Sequence, residues 1–250
     1  MIGAGPPLLL IHGFCESGAL FDPIVARLAQ HATVLLPDLP GFGGTPFDPH
    51  FRQLDDYAFW LRDLMDTVGW SAATVVGHSM GGYIALGLAA HCPERVQALG
   101  LLHSTALDDT DARKVSRTKT MEFLEANGME AFLRVFVPAL FHDPAADWLE
   151  ALYTIGRQTD LAAAIACTRM MRDRPARVAV AAGLQVPLLY ILGGHDTLVP
   201  PERSQQELME VGLALLTRIP EAGHMAMYEA PDTVVEAILS LVAMRAGAGV

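Results

Sequence analysis

The chain has 250 residues, 52% of them hydrophobic, and sets 17 Lys and Arg against 28 Asp and Glu for a net charge of −11. That length can bury the core of one domain with room for an insertion, and the apolar content excludes a disordered chain. The acidic balance argues against nucleic acid and anionic membrane surfaces as partners, and leaves small neutral molecules open.

Met1-Ile2-Gly3-Ala4-Gly5-Pro6 carries no basic region, so no secretory signal is expected. The apolar run 8–11 predicts a first strand, ending in His12-Gly13-Phe14. Asp22-Pro23 reads as an N-cap followed by proline at the first helical position. A second strand covers 33–36, and the glycines of the following Asp38-Leu39-Pro40-Gly41-Phe42-Gly43 suit a structural turn. From about 55 to 68, Tyr57, Leu61, Leu64, Met65 and Val68 share one helical face, and Gly69 can end that helix. A third strand, 74–76, runs into Gly77-His78-Ser79-Met80-Gly81-Gly82 and a helix of small residues that stops near Cys92, before Pro93. A fourth strand spans 98–102. The alternation then breaks. Between about Ser104 and Arg174 only helices are predicted: 113–126, ending at Asn127-Gly128, then 130–140, 146–157 and 161–171. Strands at 188–192 and 214–219 and a helix at 232–244 complete the chain. Short apolar strands alternating with amphipathic helices imply a mostly parallel sheet covered on both faces.

The chemistry concentrates at strand ends. A strand, G-x-S-x-G and a small-residue helix form the pattern of a nucleophile elbow, which exposes Ser79 on a tight turn. A serine hydroxyl becomes an effective nucleophile only with a base beside it and an anion site facing it. His224, in Gly223-His224 just past the last strand, is the candidate base. Asp196, in Gly193-Gly194-His195-Asp196, is the candidate acid that orients it. Asp108, Asp109 and Asp111 lie after the preceding strand and are alternative acids. The backbone N–H groups of Phe14 and Met80 are the candidate oxyanion donors. His12 is expected to hold the oxyanion loop by hydrogen bonds. His12, Gly13 and Met225 are also read as lining the substrate site. His103 suits either the pocket or the core.

Other groups read more plainly. The three cysteines, Cys15, Cys92 and Cys167, form no paired framework, which predicts a reducing, cytoplasmic setting, with Cys15 a small buried residue. Nine scattered histidines show no metal-ligand spacing, so no metal is expected. Arg169, Arg172, Arg174 and Arg177 could bind a substrate carboxylate, but a solvated helix face is the preferred reading. No apolar stretch approaches the roughly 18 residues of a membrane span.

On the segments around His12-Gly13-Phe14, Asp38 to Gly43, Gly77 to Gly82, Gly193 to Pro200 and Gly223-His224, and on the order Ser, Asp, His, the chain resembles the α/β-hydrolase fold superfamily from about residue 7 to 242. That resemblance implies a central sheet of about six to eight strands. It divides the chain into core (1–103), helical cap (104–174) and core (175–250). It implies a cofactor-free serine hydrolase acting on a small ester, thioester or lactone through an acyl-serine. Carbon–carbon bond hydrolysis, perhydrolysis or cyanohydrin cleavage on the same residues, and a weakly catalytic ligand-binding receptor, are the alternatives. The hairpin that usually opens this family's sheet has no counterpart in the eleven residues before His12. The sheet edge there is expected to be short or covered by a partner, making a homo-oligomer possible.

Overall fold

The computed structural model describes residues 1–244. Strands β1 (Pro7–Ile11), β2 (Thr33–Leu35), β3 (Ala73–His78), β4 (Val96–Leu102), β5 (Leu188–Gly193) and β6 (Leu215–Ile219) form one sheet in the order β2-β1-β3-β4-β5-β6. Every pair is parallel, and Leu9, Val75, Leu99 and Leu188 lie on one row of partners across it. Strands β3 and β5 are buried at every position, as unbroken apolar runs covered on two faces should be. Only β6 among these strands, at one edge, alternates half-buried and exposed residues before the buried Ile219.

Helices α1 (Asp22–Leu28), α2 (Leu54–Thr67) and α3 (Met80–His91) sit within the first half of the chain. The stretch between β4 and β5 contributes α4 (Asp111–Phe136), α5 (Ala146–Gly156), α6 (Leu161–Asp173) and α7 (Val178–Gly183). Then come α8 (Pro201–Val211), the single turn α9 (Ala226–Glu229) and α10 (Pro231–Met244). Helix α10 packs on β3, β4, β5 and α1. On the other face α2 packs on α3, α3 on α7, α7 on α8, and α8 on β5. Helix α4 lies against α6 and α5.

Four local outcomes refine the sequence reading. The helix at Pro23 starts one residue earlier than expected: Phe21 is the N-cap and Asp22 is already helical. The helices around Asn127-Gly128 are not separated by a loop; Gly128, at φ 74 and ψ 179, is a single non-helical residue inside α4. A side chain there would meet nothing, so the glycine serves the backbone angle alone. Helices α7, α8 and α9 were not expected. At the β2 edge the N-terminal residues fold back: Ile2 N–H donates to Val34 O (3.0 Å) and Val34 N–H to Ile2 O (2.8 Å), an antiparallel bridge that covers this edge from within the chain. No helix among the described residues is long and apolar enough to cross a membrane.

The chain runs from β1 outward to β2, then crosses back to β3 on the other side of β1. This reversal falls at the carboxyl ends of β1 and β3, the place where open α/β sheets bind ligands.

Candidate active site

Ser79 follows β3 and is the N-cap of α3, with φ 50 and ψ −115. A left-handed φ on a non-glycine residue costs on the order of 1–3 kcal/mol and persists only when surroundings enforce it. Here they do. Ser79 N–H donates to Leu102 O (2.9 Å), while Ser79 O accepts from Gly82 N–H (3.0 Å) and Ser104 Oγ (2.7 Å). The turn closes so tightly that a methyl group on Gly77 would lie 2.2 Å from Gly81 O. Among the described residues, the other non-glycine positions with positive φ are Cys15, after β1, and His103, after β4. All three sit at carboxyl ends of neighbouring strands.

Met80 N–H is the first donor of α3 and, like Phe14 N–H, has no hydrogen-bond partner among the described residues. Gly13, just before Phe14, is fixed by Glu16, whose Oε2 accepts Gly13 N–H at 2.5 Å. His12 is fully buried. Its Nε2 accepts Leu39 N–H (2.9 Å), so Nδ1 carries the proton and donates to Gly13 O (2.8 Å). Burial pushes its pKa down, in keeping with a neutral ring. His12 and Gly13 thus commit their polar atoms within the loop, and Met225 is 0% exposed in the core. In this arrangement His12 and Gly13 shape the loop after β1, and Met225 packs in the core.

His224 Nδ1 donates to Asp196 Oδ2 at 2.7 Å, with both side chains buried. The other oxygen of Asp196 accepts Leu198 N–H and Val199 N–H, each at 2.9 Å. Burial alone would raise the Asp196 pKa, but the His224 charge and hydrogen bonds from His103 and His224 hold it far below the usual range. Of the alternative acids, Asp109 is paired to Arg174 (2.8 Å) and Arg117 (3.1 Å), and Asp108 and Asp111 make no hydrogen bond or ion pair with a histidine among the described residues. The structure therefore brings His224 together with Asp196 and not with that group.

His103, which suits either pocket or core in the sequence, is joined at this edge by His78, Glu16 and Glu207, which carry no signal of their own there. His103 Nδ1 donates to the same Asp196 Oδ2 (3.0 Å), while its Nε2 is buried without a partner. Burial, opposed by the Asp196 hydrogen bond, brings its pKa down to about 4, so the ring is neutral. His78 lies between Glu16 Oε2 (2.9 Å from Nδ1) and His224 O (3.0 Å from Nε2). Both partners are acceptors, so both nitrogens carry protons and the ring is a buried imidazolium. Burial would lower its pKa, but Glu16 raises it; Glu16 is in turn held low against its own burial by His78. This pair connects the loop after β1, the residue before Ser79 and the backbone of His224. Glu207, fully buried on α8, accepts Ala106 N–H (2.7 Å), Tyr190 OH (2.6 Å) and the Thr105 hydroxyl, anchoring the loop that carries His103 and Ser104.

The ligand atoms of His103, Asp196 and His224 lie within 4.8 Å of one another, a spacing a cation could use. A cation there would have to displace both ring protons from Asp196 Oδ2, so the set is already closed by hydrogen bonds.

The arginine run divides. Arg169 is exposed and Arg172 half-buried, as a solvated face requires. Arg174 is instead buried, paired with Asp109 and stacked 3.9 Å from the Tyr83 ring centroid, and Arg177 grips both oxygens of Asp55 at 2.6 Å. All three cysteines are unpaired and buried.

Residues 8–237 match the model of the Alpha/beta hydrolase family. The chain is 28% identical over 234 residues to the pimeloyl-[acyl-carrier protein] methyl ester esterase of Chromobacterium violaceum, covering 89% of each protein. It is 29% identical over 244 residues, 94% of its own length, to the dihydrolipoyllysine-residue acetyltransferase component of the acetoin cleaving system of Pseudomonas putida, but spans only 63% of that protein. It spans 29% of an uncharacterized Mycobacterium tuberculosis protein that is 37% identical over 100 residues. Among solved structures, a thermophilic esterase from Thermogutta terrifontis superposes with a TM-score of 0.89 at 26% identity, over 96% of this chain and 90% of that one.

Proposed function

We propose that this chain, which belongs to the alpha/beta hydrolase family, is a serine hydrolase that cleaves a carboxylic ester, thioester or lactone through an acyl-serine. The observation that carries this reading is the His224–Asp196 pair at 2.7 Å, at the same sheet edge as a serine held at φ 50 beside the free amide of Met80.

In this mechanism Ser79 Oγ attacks the carbonyl carbon and His224 Nε2 takes its proton. Asp196 holds the imidazolium through Nδ1–H and remains ionised. The oxyanion is received by the Phe14 and Met80 amides, which need no reorganisation because their flanking residues are already fixed. His224 then protonates the leaving oxygen or sulfur, and the bond to the carbonyl breaks. Water, deprotonated by the same nitrogen, attacks the acyl-serine; His224 then returns that proton to Ser79 Oγ as the acyl–oxygen bond breaks, and the acid is released. We assign residues 104–174 as the cap over this site. Support comes from Phe14, whose ring packs edge-on against Phe132 (6.0 Å) and Phe136 (5.9 Å) of α4.

The test is hydrolysis of nitrophenyl esters from acetate to laurate, with Ser79→Ala as control. Multiple turnover that the substitution abolishes, with the fold retained, is the expected result. A substantial residual rate in Ser79→Ala would remove the nucleophile assignment, and a single stoichiometric burst would indicate a receptor.

A further inference from the structure

A cavity of about 330 Å³ lies beside the proposed catalytic residues and takes no part in the steps above. Tyr83, one helical turn beyond Ser79 on α3, forms part of its wall. So do Thr197, Leu198 and Val199, and the last two of these hold Asp196 through their amides.

The lining is cationic, in a chain whose net charge is −11. Arg113, Arg174 and Arg203 face it, against one acid, Asp109. That acid is already claimed by Arg174 and by Arg117 behind it. Arg113 is half-buried, and its guanidinium has no hydrogen bond or ion pair among the described residues. Arg203 donates to a backbone carbonyl, Asp108 O, and to no carboxylate among the described residues. Arg174 has a side chain 5% exposed, and its Nε–H is buried without a partner.

Two helices also begin at this cavity. Thr110, Ala112 and Arg113 belong to the start of α4, and Pro200 and Arg203 to the start of α8. Helix N-termini carry partial positive charge and unpaired N–H groups, which favour anions. The acids of these first turns, Asp111 and Glu202, do not line the cavity.

We infer that this cavity is an anion-binding site for a carboxylate or phosphate group. Its place next to the Asp196 loop makes the anionic group part of the substrate, remote from the scissile carbonyl; that second step rests on the serine-hydrolase reading. Guanidinium groups suit both anions because their planar fork donates two parallel hydrogen bonds.

The experiment has two arms on the intact chain. In the first, thermal unfolding of the wild type, Arg113→Gln and Arg203→Gln is followed against inorganic phosphate, with sodium chloride matching the ionic strength. In the second, kcat/KM is compared between the mono-nitrophenyl ester of adipic acid, which keeps a free carboxylate, and nitrophenyl hexanoate, which has none. We expect phosphate to raise the wild-type Tm and to lose that effect in Arg113→Gln, which removes no existing hydrogen bond or ion pair. The adipate-to-hexanoate ratio should fall at least about tenfold in the same variant, the size of one lost charge-assisted hydrogen bond. A phosphate effect that Arg113→Gln removes, with an unaltered ester ratio, would show that the site takes a free anion and not the substrate. If the wild type cleaves neither ester, the hydrolase reading fails, while the phosphate arm still decides the site. No phosphate effect and a ratio indifferent to both substitutions would overturn the inference.

Discussion

His103→Asn tests whether the second histidine on Asp196 is held neutral. Asparagine can place its amide nitrogen near the position of Nδ1, so the donor to Asp196 Oδ2 is kept while the titrating ring is removed. In the folded protein His103 is fully buried with a pKa of about 4, against an ordinary value of 6.5. Below 6.5 the unfolded chain takes up a proton that the folded chain refuses, so stability falls as pH falls. At 1.36 kcal/mol per pKa unit, the loss attributable to this residue between pH 7 and pH 4 is about 3 kcal/mol. At pH 7 the substitution leaves a small void but also removes the unpartnered Nε2, and these effects oppose each other. Urea denaturation of wild type and variant at pH 7, 5.5 and 4.5 measures the difference, and other titrating groups cancel in it. The variant should lose clearly less stability on acidification. Parallel curves would refute the neutral, buried assignment.

Glu16→Gln leaves the His78 imidazolium without its counter-charge and should cost about 3–5 kcal/mol. Because the Glu16 pKa is lowered and that of His78 raised, the penalty should be largest between about pH 4.5 and 6.5. It should shrink as pH falls through the folded pKa of Glu16 or rises through that of His78; a pH-independent penalty would contradict the ion pair. Asp196→Asn should lower kcat on the order of 10⁴-fold, while Asp108→Asn, at a half-buried acid with no histidine partner among the described residues, should change it little; the reverse ranking would move the orienting acid to the segment after β4. Cys15 and Cys167 are buried, which pushes the Cys15 thiol up and that of Cys167 to about 12. Ellman titration should therefore find both unreactive in the native protein and accessible in urea; fast native labelling would show that the interior opens.

All six strands were legible because strands buried on both faces are short, unbroken apolar runs bounded by turn residues. Ser79, Asp196 and His224 were legible because each sits in a glycine-marked turn after such a run. Helix α8 escaped because its inward face is not apolar: Ser204, Glu207 and Val211 are its buried residues, and two of the three are polar. A hydrophobic-periodicity reading has no means of recognising Glu207 as interior, since its burial depends on three donors from distant elements. The Glu16–His78 pair was hidden for the same reason, joining residues 62 positions apart. Arg174 was misjudged because a guanidinium in a basic run suggests solvent, whereas here Tyr83 and Asp109 draw it inward.

The strand order also governs when the site can exist during folding. Its parts follow β1, β3, β4, β5 and β6, and every neighbouring pair requires a crossover in place of a hairpin. Ser79 N–H needs Leu102, His103 N–H needs Ile191, and His195 N–H needs Ala222. No half of the chain can bring Ser79 and His224 to one sheet edge, because the strands they follow, β3 and β6, come from the two halves. Parallel pairings of this sequence separation form slowly. Recovery of turnover after dilution from denaturant would therefore report completion of the whole sheet, later than any probe of helix content.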